Sequence, residues 1–323
     1  MSLYLALEAD GAGAHPAAWR FSAEVLRPAG VKVAEAAGIA LVTFADSPVP
    51  PGGFPGRLEA VGRAAFLSTR TKRIGLGPAV PTATTEPFHV AAQLASLDHA
   101  SRGRAAWVVT GSTAEELATV GTTGPPGEAA DVVRVVRALW DSWEDDAIIK
   151  DVATGRFLDP AKVHHVDFEG ATFSVKGPLI TPRPPQGQPV VVAAEGLGVD
   201  ADITLVTAPK AGPGLVFAEL DVVLDTDEPA ADRLGRLDDA EPWHSTRIRH
   251  VGSAAGLVRL LDELRGAVDG VRLHLAELAL DLPVLAEHVL PALDLPPQRE
   301  TLRATLGLGK PANRFAATGG GSR

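Results

Sequence analysis

The sequence contains no cysteine, so disulfides, thiolate nucleophiles and cysteine-ligated zinc or iron–sulfur centres are excluded. One tyrosine, one methionine and an aromatic content of 5% leave the core to aliphatic side chains. No run reaches the roughly 18 uncharged apolar residues of a membrane-spanning helix. The opening Met1-Ser2-Leu3-Tyr4-Leu5-Ala6-Leu7-Glu8 lacks the basic and long apolar regions of a secretory signal. Dense Lys/Arg blocks are also missing, and 40 acidic against 30 basic residues give a formal net charge of -10. That charge repels phosphate backbones and anionic membranes, so neither nucleic acid nor a membrane is expected as a partner. The expectation is a soluble, cytoplasmic protein.

What is present suits a large folded body, with 323 residues, 46% hydrophobic and 22% charged. Short apolar runs alternate with amphipathic stretches, the pattern of repeated βα units around a parallel sheet. Leu3–Leu7, Ile39–Phe44, Ile74–Val80 and Ala105–Thr110 read as strands, followed later by Val190–Ala194, Ile203–Thr207, Leu220–Leu224 and Val271–Leu275. Helical periodicity marks Ala23–Ala37, Arg57–Thr69, Pro87–Ala100, Ala129–Ser142, Gly256–Arg265 and Leu282–Leu293. Between Glu144 and Pro189 the periodicity is lost and glycine, proline and charge dominate.

The spacing predicts a (β/α)8 barrel in one domain over 1–315, with an insertion at 144–189 and a flexible glycine-rich tail at 316–323. Glu195–Asp202 and Ala208–Glu219 are short for a helical crossover, so the helices after strands five and six are trimmed. The sheet face left bare there needs a cover, either the insertion or a second subunit.

Several blocks carry a family resemblance. They are His15-Pro16-Ala17-Ala18-Trp19-Arg20, Phe44-Ala45-Asp46 and Glu86-Pro87-Phe88-His89, with Leu97-Asp98-His99-Ala100-Ser101-Arg102-Gly103-Arg104 close to an LDHxSxGR signature. Leu139-Trp140-Asp141-Ser142-Trp143, Phe168-Glu169-Gly170-Ala171-Thr172-Phe173 and Leu302-Arg303-Ala304-Thr305-Leu306-Gly307-Leu308 follow in order. Together they resemble bacterial-luciferase-like flavin-dependent monooxygenases, in the branch of nitrilotriacetate, dibenzothiophene and long-chain alkane monooxygenases. The resemblance implies reduced FMN delivered by an NAD(P)H:flavin reductase, molecular oxygen, a small organic substrate and a homodimer. The flavin would carry the oxygen chemistry, and the protein would bind and orient.

The same resemblance points to Asp46, Thr82 and Thr110, at the ends of the second, third and fourth strands, as flavin-binding residues. Their plain alternatives are a helix cap for Asp46 and turn hydroxyls for the threonines. His89 and Trp107 are weaker candidates for the substrate pocket, and no catalytic residue is assigned. Asp98, Ser101 and Arg104 read as structural. Glu144-Asp145-Asp146 and His164-His165 lack metal-ligand spacing, so no metal is assigned.

Two departures bear on the cofactor. The family's Arg-Tyr turn before the fourth helix is replaced by Gly124-Pro125-Pro126-Gly127-Glu128, and its Gln-Ala-Gly-Ser segment after strand five by Ala193-Ala194-Glu195-Gly196. Both elements would grip the flavin phosphate, so tight FMN binding is expected to be weakened or lost. The alternatives are a degenerate barrel acting as a partner subunit or small-molecule binder, and a deazaflavin-dependent oxidoreductase on the same fold.

Overall fold

The computed structural model describes residues 3–18, 28–49, 56–125 and 127–316. Eight parallel strands close into a barrel: β1 (Tyr4–Glu8), β2 (Leu41–Phe44), β3 (Gly75–Pro81), β4 (Ala106–Thr110), β5 (Val190–Ala194), β6 (Ile203–Val206), β7 (Leu215–Leu224) and β9 (Gly270–Leu275). Every strand expected from the sequence is present. The helices are α1 (Pro28–Ala36), α2 (Ala60–Ser68), α3 (Pro87–Ser101), α4 (Ala114–Thr119), α5 (Glu128–Trp140), α6 (Ala230–Ala240), α7 (Ala254–Leu264), α8 (Leu278–Val284) and α9 (Leu302–Thr305). The expected helix start at 23–27, Trp19, Arg20 and the tail from 317 lie outside the described residues. Among the described residues, no helix is long and apolar enough to cross a membrane.

Closure depends on the length of β7. Through Leu215–Ala218 it pairs with β6, and further along the same edge Leu220–Leu224 pair with an extra strand, β8 (Ile248–Gly252), while β9 takes the other edge. The sequence pattern marks only the second half of β7, and it misses β8, α4 and α6. In α6 the buried residues are Ala230, Arg233 and Leu237, and Arg233 pairs with Asp281 at 2.5 Å and Glu277 at 3.1 Å. The helix is polar overall, with Ala230 and Leu237 as its buried apolar residues, so no run of apolar residues marks it in the sequence.

The trimmed side is as short as expected, for no helix separates β5 from β6 or β6 from β7. Its cover comes from within the chain. Val191 and Ala193 of β5 join a buried cluster with α3 and α5, to which insertion residues Phe168, Phe173 and Leu179 and connection residues Leu197 and Val199 also belong. Val206 of β6 lies in the cluster of Leu257 and Leu261 from α7, and Thr204 remains half-buried. The 144–189 excursion forms two small hairpins, Ile148–Asp151 with Arg156–Leu158 and Phe168–Glu169 with Ser174–Val175, and contributes nothing to the barrel wall.

The lower end of the barrel is plugged. Leu302 and Leu306 of the α9 segment join the interior cluster with Leu41, Val108, Val190, Ile203 and Phe217. Gly270 has no room for a side chain, since a Cβ there would lie 2.6 Å from the Phe217 ring. Asp98, fully buried, accepts from the Ala105 amide at 3.0 Å, the Gln186 amide at 3.1 Å and Gln186 Nε2 at 2.7 Å. Gln186 Oε1 in turn accepts from the Arg303 amide at 2.9 Å.

One cooperative urea transition is the expected behaviour of a single domain, which resolved transitions would contradict. Asp98→Ala strands three buried donors and should lower the unfolding free energy by more than about 3 kcal/mol.

Candidate active site at the barrel mouth

Side chains alternate along each barrel strand, so every second residue faces inward, and those nearest the strand C-termini form the mouth. A half-open cavity of about 240 Å³ lies there, lined among others by Glu8, Phe44, Thr110, Arg247, Arg272 and His274. Gly13, also on its wall, lets the loop after β1 close against β9, for a Cβ would lie 2.0 Å from the Ala276 oxygen.

The wall from β7, β8, β9 and β1 is charged. Arg272 Nε donates to Glu219 Oε1 at 2.5 Å, and the same oxygen lies 3.2 Å from His274 Nε2. Arg272 also approaches Glu8 Oε2 at 3.5 Å, and Arg247 pairs with Asp221 at 3.0 Å and Glu219 at 3.6 Å. Arg249 adds a second contact to the fully buried Asp221 at 3.4 Å. Burial alone would raise the Glu219 carboxyl pKa, but Arg272 and His274 outweigh it and hold the group far below the usual range. Burial lowers the His274 pKa, more than Glu219 raises it, so the ring is neutral near pH 7.

The opposite wall holds Thr110, where Oγ1 is buried without a hydrogen-bond partner among the described residues, and Ser112 Oγ is in the same state. Thr82 is buried beside it, its amide donating to the Thr110 carbonyl at 3.3 Å. Asp46 is half-buried and already engaged: its carboxylate accepts from the Ala60 amide at 2.7 Å and the Ser47 amide at 2.8 Å, at the start of α2. Burial pushes its carboxyl pKa up.

The two pocket candidates fall elsewhere. Trp107 is fully buried on the outer face of β4, because Ala106 and Val108 face in; its Nε1 donates to the Val80 carbonyl at 3.0 Å, and its ring meets Trp140 edge-on. His89 is exposed in the first turn of α3 and is absent from the cavity wall. Asp98, Ser101 and Arg104 are structural, with Arg104 donating to the Ser68, Thr71 and Ile74 carbonyls. Among the described residues no group of three or more potential ligands could hold a metal ion, although His164 meets Glu144 at 2.8 Å.

The sequence reading missed the charged wall. Its signal was legible, since Arg272 and His274 alternate with Val271, Leu273 and Leu275, and Glu219 and Asp221 alternate likewise in β7. Polar residues at period two near the end of a barrel strand face the mouth.

The start of α5 is closed by the chain itself. Asp131 accepts from the Ala171 amide at 2.9 Å and pairs with Arg134, and Glu128 accepts from the Thr172 hydroxyl at 3.1 Å. The tip of the second hairpin thus sits on the helix N-terminus, where two carboxylates already answer the helix dipole. After β5, Glu195 pairs with Lys210.

The family model for luciferase-like monooxygenases matches residues 15–208. One component of the pristinamycin IIA synthase of Streptomyces pristinaespiralis is 35% identical over 291 residues, 89% of this chain and 90% of that protein. Nitrilotriacetate monooxygenase component A from Aminobacter aminovorans is 40% identical over 146 residues, 42% of this chain and only 32% of that protein. In structure, a long-chain alkane monooxygenase superposes with a TM-score of 0.80 at 18% identity, covering 95% of this chain and 96% of that one.

Two measurements check the site. The Glu219 carboxyl is more acidic folded than unfolded, so its stabilisation is complete above the unfolded pKa of about 4.3 and is lost as pH falls further. Glu219→Gln, which strands the Arg272 charge, should therefore cost about 3–5 kcal/mol at pH 7 and progressively less toward pH 3; a constant gap would contradict the pairing. Asp46→Ala should cost about 1 kcal/mol in urea unfolding, since it removes the acceptor of the Ala60 amide at the start of α2 while the Glu59 cap stays in place.

Proposed function

Because this chain belongs to the luciferase-like monooxygenase family, we propose that it is a flavin-dependent monooxygenase acting at the barrel mouth on a small organic substrate. The observation that carries this reading is the buried Thr110 hydroxyl, which faces the mouth with no partner of its own among the described residues. A buried hydroxyl left unpaired is costly unless a ligand completes it. The polar edge of a flavin ring provides both donors and acceptors, so the ring end fits Thr110; Thr82 and Asp46, grouped with it from the sequence, lie beside the cavity and not on its wall.

The phosphate end does not fit the start of α5. Glu128 and Asp131 lie in its first turn and the hairpin tip donates to both, so a phosphate there would meet two carboxylates. We infer that reduced FMN is taken up by its ring from a separate NAD(P)H:flavin reductase and released again. Bound there, reduced flavin supplies the electrons for dioxygen chemistry. The chain's own part is to bind the ring through Thr110, exclude water with Phe44, Ala79 and Val108, and orient the substrate against the charged wall. A homodimer is the proposed assembly, and light scattering reporting a monomer would refute it.

The reading is tested by titration. The protein should purify colourless and bind FMN with a dissociation constant above the micromolar range, and Thr110→Ala should weaken that by about tenfold. Stoichiometric yellow protein would refute weak binding. Saturating protein should also change the rate at which dioxygen reoxidises reduced FMN. An unchanged rate would select a second reading to which the closed phosphate end lends support, a barrel serving as a partner for another protein without flavin chemistry of its own.

A further inference from the structure

His274 stands apart from the rest of the charged wall because one of its two ring nitrogens is left over. Its Nε2 lies 3.2 Å from Glu219 Oε1, and the ring lines the mouth cavity while only 3% exposed. An ionised carboxylate can only accept, so in the neutral ring the shared proton sits on Nε2. Nδ1 is then a bare acceptor, and it has no partner among the described residues. Glu219 cannot turn away, because Arg272 holds it at 2.5 Å and Arg247 lies 3.6 Å from its other oxygen.

The surroundings leave Nδ1 as the distinctive acceptor of the mouth. Glu8 and Asp221 face His274 from β1 and β7, in register with it, but they are held by Arg272, Arg247 and Arg249. Phe44, Ala79 and Val108 give the same cavity an apolar side. In the ring of eight strands, β9 lies four places from β4, so His274 and Thr110 occupy opposite walls. A flavin ring engaged by Thr110 leaves His274 to the other reactant.

We propose that His274, locked by Glu219 into the tautomer with an unprotonated Nδ1, selects substrates that present an O–H or N–H donor beside an apolar ring-sized body. The proposal rests on the monooxygenase reading for the word substrate, but its test needs no flavin and no turnover. Nδ1 is open to the cavity rather than sealed, so a donor displaces the water it would otherwise bind, and an analogue without the donor displaces that water without replacing its hydrogen bond.

The experiment uses the full chain labelled with ¹⁵N-histidine, the His274 signals being identified by their loss in His274→Asn. Phenol and anisole serve as probes of matching shape that differ in one donor. The expected result is an Nε2-protonated ring near neutral pH, an Nδ1 signal that moves with phenol and not with anisole, and phenol binding weakened by about tenfold in Glu219→Gln. If Glu219→Gln fails to fold, the wild-type spectra decide alone. An Nδ1-protonated ring overturns the proposal, as does an equal response or no response to the two probes at millimolar concentration. FMN titration of the same samples reports separately on the flavin reading.

Discussion

The carboxylate of Asp98 is the constraint on which the rest of the barrel depends. It sits at the end of α3 with no access to water, and it is matched by donors from the first residue before β4 and from Gln186, 88 residues away at the end of the excursion. Gln186 passes the connection to Arg303, and Arg303 reaches Asp202, which also holds Arg137 of α5. A buried carboxylate without these partners would be several kcal/mol too costly to keep. The chain can therefore leave the barrel at 144, fold two hairpins outside it, and return in register for β5. Because the same network draws Leu302 and Leu306 into the lower end, only the upper end stays open.

At that open end the interior is charged rather than apolar. Glu8, Glu219 and Asp221 pair with Arg247, Arg249 and Arg272 along one wall, so the ions neutralise one another and the acidic surplus of the whole chain is not concentrated in the mouth. Desolvated ion pairs contribute little net stability, but a group missing its partner is strongly destabilising. The network thus fixes the orientation of each member more than it strengthens the fold, and an ordered polar wall is what a binding mouth requires. The hydroxyl of Thr110, which nothing in the described chain satisfies, faces it from the other side.

The same chain that keeps the mouth open closes the start of α5. Helix N-termini receive anions because their amides are free. Here Glu128 and Asp131 place two carboxylates in the first turn, and Ala171 and Thr172 of the hairpin donate to them. The start of α5 is thus a packing contact between the insertion and the barrel.

Periodicity determined the eight strands and the trimmed side, because alternation and run length are local properties that survive in one dimension, and the family blocks were legible as a resemblance in residue order. Local reading also marked Thr110 at a strand end. The outward direction of Trp107 needed the parity of its strand, which Ala106 and Val108 reveal only once the interior is known. The extension of β7, the strand β8 and the helix α6 stayed hidden because their stabilisation is long-range: Arg233 pairs with Asp281, 48 residues on. The mouth itself was scattered over residues 8, 219, 221, 247, 272 and 274, and no spacing rule connects them. Only closure of the sheet brings β1, β7, β8 and β9 together, and only that juxtaposition turns six separate ionisable residues into one wall with a free imidazole nitrogen.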